Sequence, residues 1–111
     1  MYKLAIDNTV DVTVKFTLKA KGVAKLFSFT LMCDRLTQDE ISARLEDKDK
    51  NVKDFVAEVT TGWTGQRLVL DDDGEPAAFS LEAMTAMLNA PGVAMVCFNA
   101  YIKDCGAKEK N

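Results

Sequence analysis

A strict alternation of apolar and polar residues constrains the first third of this chain more than any other feature. Residues 9–18 place one apolar set on a single side: Val10, Val12, Val14, Phe16 and Leu18. A period of two is typical of a half-buried strand. A second run, residues 26–33, places Phe27, Phe29, Leu31 and Cys33 on one face. Gly22 lies between the runs, where a tight turn often needs positive φ, so the pattern predicts an antiparallel hairpin. A third short strand is expected elsewhere, because an isolated hairpin is marginally stable in water.

The apolar period changes to that of a helix after residue 36. Thr37 and Glu40 have the spacing of a capping box, which predicts a helix with the thin apolar face Ile41, Ala43 and Leu45. Asn51 or Asp49 is expected to cap a second helix. Its apolar residues recur at i, i+3, i+4 and i+7: Val52, Phe55, Val56 and Val59. Gly62 is predicted to end this helix in the left-handed conformation.

Two further helices are predicted in the last third of the chain. Ser80 is the expected N-cap of the first, whose apolar stripe is Leu81, Met84, Met87 and Leu88. Pro91 is expected to stop that helix and to sit in the first turn of the next. The last helix repeats the helical spacing with Val93, Val96, Cys97, Ala100 and Tyr101.

These elements together predict an α+β fold, with an N-terminal antiparallel β-hairpin or small sheet followed by about four short helices. The chain has 111 residues, a length that suits one domain over 1–111. Within it, about 1–35 is expected to be β-rich, about 37–106 helical and 107–111 a frayed tail. Hydrophobic residues make up 48% of the chain, enough for a core without metal or disulfide staples.

Composition argues against several classes of function. The chain has no histidine, which is the side chain best suited to proton transfer near neutral pH, so the sequence predicts no enzyme and no catalytic residue. No glycine-rich phosphate loop occurs, so no cofactor is expected. The net charge is -3 and the lysines and arginines are spread along the chain, which argues against nucleic-acid binding. No apolar run is long enough to span a bilayer.

The acidic run at residues 71–75 is the best candidate for a metal loop. Aligning Gly74 with the sixth position of an EF-hand puts Val69 at the first position and Ser80 at the twelfth. Both anchoring carboxylates are therefore missing, and a solvent-facing Asp-Gly turn without a metal is predicted.

The three cysteines, Cys33, Cys97 and Cys105, are odd in number and form no CxxC motif. This, and the lack of a charged-then-apolar leader, predicts a reducing cytoplasm. Cys33 and Cys97 fall on apolar faces, where a buried cysteine acting as a small hydrophobic residue is the favoured alternative to a nucleophile.

Three residues are candidates for contact with a partner. Trp63 is the only tryptophan and lies outside the helical periodicity, so it either packs a loop over the helices or contacts a partner. Met84 and Met87, with Met95, either fill gaps in the core or form an adaptable binding surface. In each case the core role is the favoured alternative.

The second half of the chain also shows an ordered series of signals. Gly62-Trp63 is followed by the acidic run and Pro76, by Phe79-Ser80, and by Pro91-Gly92 before a last helical run ending near Tyr101. This order resembles the C-terminal half of small tail assembly chaperones of long-tailed bacteriophages, in phages or prophages. The resemblance covers the stretch from Thr61 onward, and the N-terminal hairpin is where the chain departs from it most.

The resemblance implies a non-catalytic, self-associating α+β domain in the cytoplasm of the bacterial host. Such a chaperone holds the helix-rich tape measure protein soluble while the major tail protein polymerises around it. Strand edges pair readily between chains, so the hairpin is a candidate surface for forming homo-oligomers. The alternative is a structural phage component, either a tail tube or a head-tail joining subunit. A small hydrolase or metal-dependent enzyme is a third and weaker hypothesis.

Overall fold

Two long strands form the predicted hairpin in the computed structural model, which describes residues 2–108. Strand β1 (Thr9–Ala20) pairs antiparallel with β2 (Val23–Asp34) along their full lengths, with Ala20 opposite Val23. Lys21 (φ 54°) and Gly22 (φ 80°) form the connecting turn. Positive φ at both central residues matches the twist of the flanking strands, so this two-residue turn fixes the register.

A third strand lies in the middle of the region that was predicted to be helical. Strand β3 (Thr60–Thr64) follows directly after a helix and pairs antiparallel with β2, which gives the sheet order β1-β2-β3. The third strand was expected, but its place at Thr60–Thr64, directly after the second helix, was not.

The prediction that Gly62 caps a helix is wrong. Gly62 lies in β3 opposite Met32, and it is not among the glycines with positive φ. A Cβ added to Gly62 would lie 2.6 Å from Met32 Cε, so glycine here leaves room for the neighbouring side chain.

Four helices complete the α+β fold, as predicted: α1 (Gln38–Glu46), α2 (Val52–Val59), α3 (Leu81–Leu88) and α4 (Val93–Cys105). Thr37 and Asn51 each make a full capping box, and the Ser80 hydroxyl accepts a hydrogen bond from the Ala83 N–H. Gly92, in the left-handed conformation, is the N-cap of α4. Pro91 therefore stops α3 as predicted but stands before α4, outside its first turn.

One buried cluster holds the sheet and three of the helices together. One face of the β1-β2-β3 sheet supplies Val12, Val14 and Leu31, and α2 adds Val56 and Val59, all nearly inaccessible to solvent. Helices α3 and α4 complete the cluster. Helix α1 contributes no buried residue.

Most of the predicted frayed tail, residues 109–111, lies outside the described residues. Across residues 2–108 no single helix is long and apolar enough to cross a membrane. Helices α3 and α4 pass that test only as a pair, bent by 107° at the break between them.

Candidate partner-binding groove

An apolar groove of about 520 Å³ runs between α1 and α4. Its apolar lining comes from both helices and the segment before α1: Leu36, Ile41, Leu45, Phe98, Ile102 and Cys105. Leu45 is 56% exposed and Ile102 is 38% exposed. Large aliphatic side chains from two different elements therefore face a shared opening, a feature that marks binding surfaces more than isolated exposed residues do.

Helix α1 forms one wall of this groove, and few contacts hold it against the core. Ile41 is partly buried against the cluster. Arg44 forms an ion pair with Glu58 of α2 at 3.3 Å, and Lys50 also reaches Glu58. The hydrogen bond from Lys50 lowers the pKa of the Glu58 carboxyl, with a smaller contribution from Arg44. Ion pairs this exposed contribute about 1 kcal/mol or less each, so α1 is lightly attached.

Tyr101 anchors the segment that leads into α1. Its hydroxyl donates to the Asp34 carbonyl oxygen at 2.7 Å and accepts from the Leu36 N–H at 3.1 Å. Burial raises the pKa of this hydroxyl well above its usual value, so it stays a donor at physiological pH. The hydroxyl thus links the end of β2 and the start of α1 to α4.

An aromatic cluster supports the floor of the groove. The Phe55 ring of α2 meets Phe98 and Tyr101 edge-to-face, with centroids 5.2 and 5.5 Å away. Phe98 lines the groove and Tyr101 is buried, so one packed cluster joins the groove to the core. Edge-to-face aromatic pairs favour fixed geometry, which gives the groove a rigid floor beneath a lightly held wall.

The cysteines differ according to their position relative to the groove. Burial raises the pKa of the Cys33 thiol to about 11 and of the Cys97 thiol to about 12. Both thiols are buried, as predicted, and the Cys33 sulfur contacts the Thr60 hydroxyl at 3.7 Å. Cys105 is partly exposed and lines the groove.

The structure buries Trp63 in the core cluster. The side chain is 8% exposed and its indole N–H donates to the Ala77 carbonyl oxygen at 3.1 Å. Its ring meets Phe79 edge-to-face with centroids 5.2 Å apart. The amide N–H₂ of buried Gln66 donates to the same Ala77 oxygen, so Trp63 and Gln66 together fix the loop between β3 and α3.

The structure also buries Met84 and Met87, which are 0% and 1% exposed. The partner-contact alternative for Trp63, Met84 and Met87 needs accessible side chains, and in this conformation none of the three is accessible. Met95, which was expected to share their core role, is 49% exposed on α4. Apolar periodicity placed Met84 and Met87 on the α3 stripe and left Met95 off the α4 stripe, so only residue type had grouped Met95 with the two buried methionines.

The acidic run forms the predicted Asp-Gly turn, which we call the acidic turn (residues 71–75). The Asp71 carboxylate accepts hydrogen bonds from the N–H groups of Asp73 and Glu75, at 2.9 and 3.0 Å. Gly74 has φ +81°, and Leu70 and Pro76 form a bridge at the base. Asp71 thus builds the turn itself. In the part of the chain from 2 to 108, no group of three His, Cys, Asp or Glu side chains could hold a metal ion.

The sequence did contain a signal for the groove. Phe98, Ile102 and Cys105 recur at i, i+4 and i+7 on α4, alongside the stripe that was assigned to the core. Ile41 and Leu45 repeat at i and i+4 on α1. A helix with two apolar stripes that faces a helix with one thin stripe indicates a second apolar contact. Only the tertiary structure shows that the two helices remain apart.

No protein-family model, curated protein or solved structure matches the chain.

Proposed function

We propose that this chain is a non-catalytic tail assembly chaperone of a long-tailed bacteriophage or prophage, acting in the cytoplasm of the bacterial host. In this proposal it binds the tape measure protein and the major tail protein during tail morphogenesis. The observation that carries the proposal is the α1–α4 groove, which offers an apolar helix a place to bind. The order of signals from Thr61 onward supplies the family expectation.

The chemistry of the groove suits a helical partner. Its apolar lining comes from Leu45 on one side and Phe98 and Ile102 on the other. A partner helix that presents apolar residues at i, i+3, i+4 and i+7 binds in such grooves by burying that stripe. A long helix-rich tape measure protein carries many stripes of this kind, and covering them keeps the protein soluble until the tail tube encloses it.

The light attachment of α1 supports the same role. Helix α1 has no buried residue, so it can shift without disrupting the core and accept partner helices whose side chains differ in size. A rigid floor with one adjustable wall suits a chaperone that binds successive, non-identical segments of one long partner.

Co-expression with the tape measure protein of the same phage genome tests the proposal. Leu45→Glu and Ile102→Glu place a charge in the groove, and Leu81→Glu is the matched control because Leu81 is 69% exposed on α3, outside the groove lining. We expect the wild type and the Leu81 variant to keep the tape measure protein soluble and to co-purify with it. Both groove variants should bind at least about tenfold more weakly, because an unpaired charge then faces the buried partner stripe.

Two results would contradict this proposal. If the groove variants bind the tape measure protein as tightly as the Leu81 control does, the groove is not its binding site. A wild-type chain that leaves the tape measure protein insoluble would remove the chaperone assignment itself. Melting temperatures of all variants serve as the control for folding, because Leu45, Ile102 and Leu81 lie outside the buried cluster.

A structural component of the virion, such as a tail tube or head-tail joining subunit, is the second candidate. The long hairpin favours it, because uncovered strand edges allow sheets to pair between copies. Purified virions distinguish the two: a structural subunit is retained in the particle, whereas a chaperone is absent from it. Self-association is expected under either function.

A further inference from the structure

The hairpin extends beyond the part of the sheet that the helices cover. Near Leu18 the β1 strand still borders the α3–α4 connection, through a shallow depression shared with Pro91 and Val93. Past that point Val23 is 68% exposed and Leu26 is 66% exposed. We call residues 15–26 the hairpin tip. A two-stranded ribbon with exposed aliphatic side chains is marginally stable in water, so a partner surface would stabilise it.

The edges of the hairpin tip are also without strand partners. Strand β3 ends at Thr64, opposite Thr30, so β2 has no neighbour on that side from its start to Phe29. Strand β1 is the other edge of the sheet. Sheet edges that proteins leave open are commonly protected by lysines, which this tip has.

Charge distinguishes the hairpin tip from the rest of the chain. Four lysines and no acidic residue occur between Asp11 and Asp34. Lys15 and Lys19 share the face opposite the core with Leu26, and Lys21 stands in the turn. Lys25 lies on the other face, with its ammonium group 5.4 Å from the Phe27 ring centroid. The hairpin tip therefore combines two cations and one exposed leucine on its outer face with a third cation in the turn.

The acidic turn has the complementary composition. Asp72, Asp73 and Glu75 are exposed around the turn that Asp71 builds, and Leu70 at its base is 53% exposed. The ion pairs formed by residues 2–108 are three, and none involves a lysine of the hairpin tip or a carboxylate of the acidic turn. Within one copy, neither patch neutralises the other.

We propose that the hairpin tip of one copy docks on the acidic turn of a second copy. The three lysines face Asp72, Asp73 and Glu75 of the neighbour, and Leu26 packs near its Leu70. The two patches are different surfaces, so one contact leaves a second tip and a second turn, which either meet each other in a reciprocal two-fold dimer or continue head-to-tail into a ring or filament. This inference deepens the self-association that the proposed function includes and rests on it.

The overall charge favours a second copy over a polyanion as the occupant. Outside residues 12–33 the chain carries ten basic and seventeen acidic residues. A nucleic acid or an anionic membrane that approaches the tip is repelled by this excess, whereas a second copy presents a local acidic patch with an apolar residue beside it.

Complementary charge reversal tests the contact. The first variant carries Lys15→Glu, Lys19→Glu and Lys21→Asp, which leaves Lys25 over Phe27 and puts aspartate at the left-handed position 21, where it is tolerated. The second carries Asp72→Lys, Asp73→Lys and Glu75→Lys, which leaves Asp71 and Gly74 to form the turn. The control, Lys3→Glu with Lys48→Glu and Lys53→Glu, changes the net charge as much as the first variant does but away from the tip. Sedimentation velocity of the full chain over a concentration series measures assembly.

We expect the wild type and the control to assemble, and each reversed variant alone to dissociate at least about tenfold more readily. An equimolar mixture of the two reversed variants should assemble again, because the tip of each variant is then opposite in charge to the turn of the other, whereas neither variant can pair with itself. High salt should weaken wild-type assembly. Assembly that survives either reversal, or a mixture that fails to associate, would overturn this interface while leaving groove binding intact. A monomeric wild type that captures DNA or anionic vesicles through the tip would also overturn it, in favour of a different occupant.

Discussion

Helix α4 presents two apolar stripes, and they meet different surroundings. Val93, Cys97 and Tyr101 are each 1% exposed or less, and pack against the sheet and α2. Phe98, Ile102 and Cys105 line the α1–α4 groove. Both stripes have a helical spacing and similar hydrophobicity, so the difference lies in what covers them. A helix can thus stabilise a core on one side and keep a binding surface on the other, provided that the element above the second stripe stays lightly attached.

The largest expected effect is on the buried cluster to which the covered stripe of α4 belongs. Trp63→Ala should lower the free energy of unfolding by about 3–5 kcal/mol, because it removes a buried ring and the indole hydrogen bond to Ala77. Trp63→Phe keeps a ring against Phe79 and should cost clearly less. Urea denaturation of both variants measures the difference. If Trp63→Ala leaves the stability unchanged but abolishes partner binding, Trp63 is instead a residue that contacts the partner.

A smaller effect is expected at the junction between the two sides. Tyr101→Phe keeps the ring in the core but removes the hydroxyl that joins Asp34 and Leu36. It should cost about 1–3 kcal/mol, since two partly buried backbone groups lose their partner. Hydrogen exchange should quicken first in α1, while α2 and α4 stay protected. Uniformly faster exchange in all helices would show that α1 is as firmly held as the core.

The smallest effect is a difference in reactivity between the two buried cysteines and Cys105, which lines the groove. At neutral pH a thiol reagent should modify the native protein at Cys105 alone, because Cys33 and Cys97 are buried. A peptide bound in the groove should slow that reaction. Mass spectrometry after brief labelling identifies the modified residue, and rapid labelling of Cys97 in the native state would contradict a closed core.

The same thiols predict how stability changes in alkaline solution. The pKa values of Cys33 and Cys97 rise from 9.0 in the reference state to about 11 and about 12 in the fold. The folded state therefore keeps protons that the unfolded chain releases, and the stabilisation that is complete below pH 9.0 is lost as the pH rises through these values. Replacing Cys97 with alanine should make the decline in melting temperature over this range shallower.

Much of the fold was predictable because its signals are local. Alternation gave both hairpin strands and the buried faces of Val12 and Leu31, and side-chain oxygens gave the N-caps Thr37, Asn51 and Ser80. The β3 strand was not placed, because Thr60–Thr64 is short and its strand character comes from pairing with β2. A glycine at position 62 is typical of a helix end. Only its position opposite Met32 shows that it belongs to a strand instead.

The candidate site was less predictable than the fold. Trp63, Met84 and Met87 were singled out by residue type, and type alone does not distinguish a core residue from a contact residue. The groove depends on the distance between α1 and α4, which no local pattern encodes. Its components were nevertheless visible, as Ile41 and Leu45 on α1 and Phe98 and Ile102 on α4.

The sequence by itself determined the α+β class, the hairpin and the helix caps, because turn chemistry, alternation and capping act over a few neighbouring residues. The tertiary structure decided which apolar stripes are covered. Burial is a property of what packs above a side chain, so Cys97 and Phe98, adjacent in the chain, lie in the core and in an open groove. It also showed that the acidic turn and the lysine-rich hairpin tip do not pair within one copy, which leaves both patches free to meet between copies.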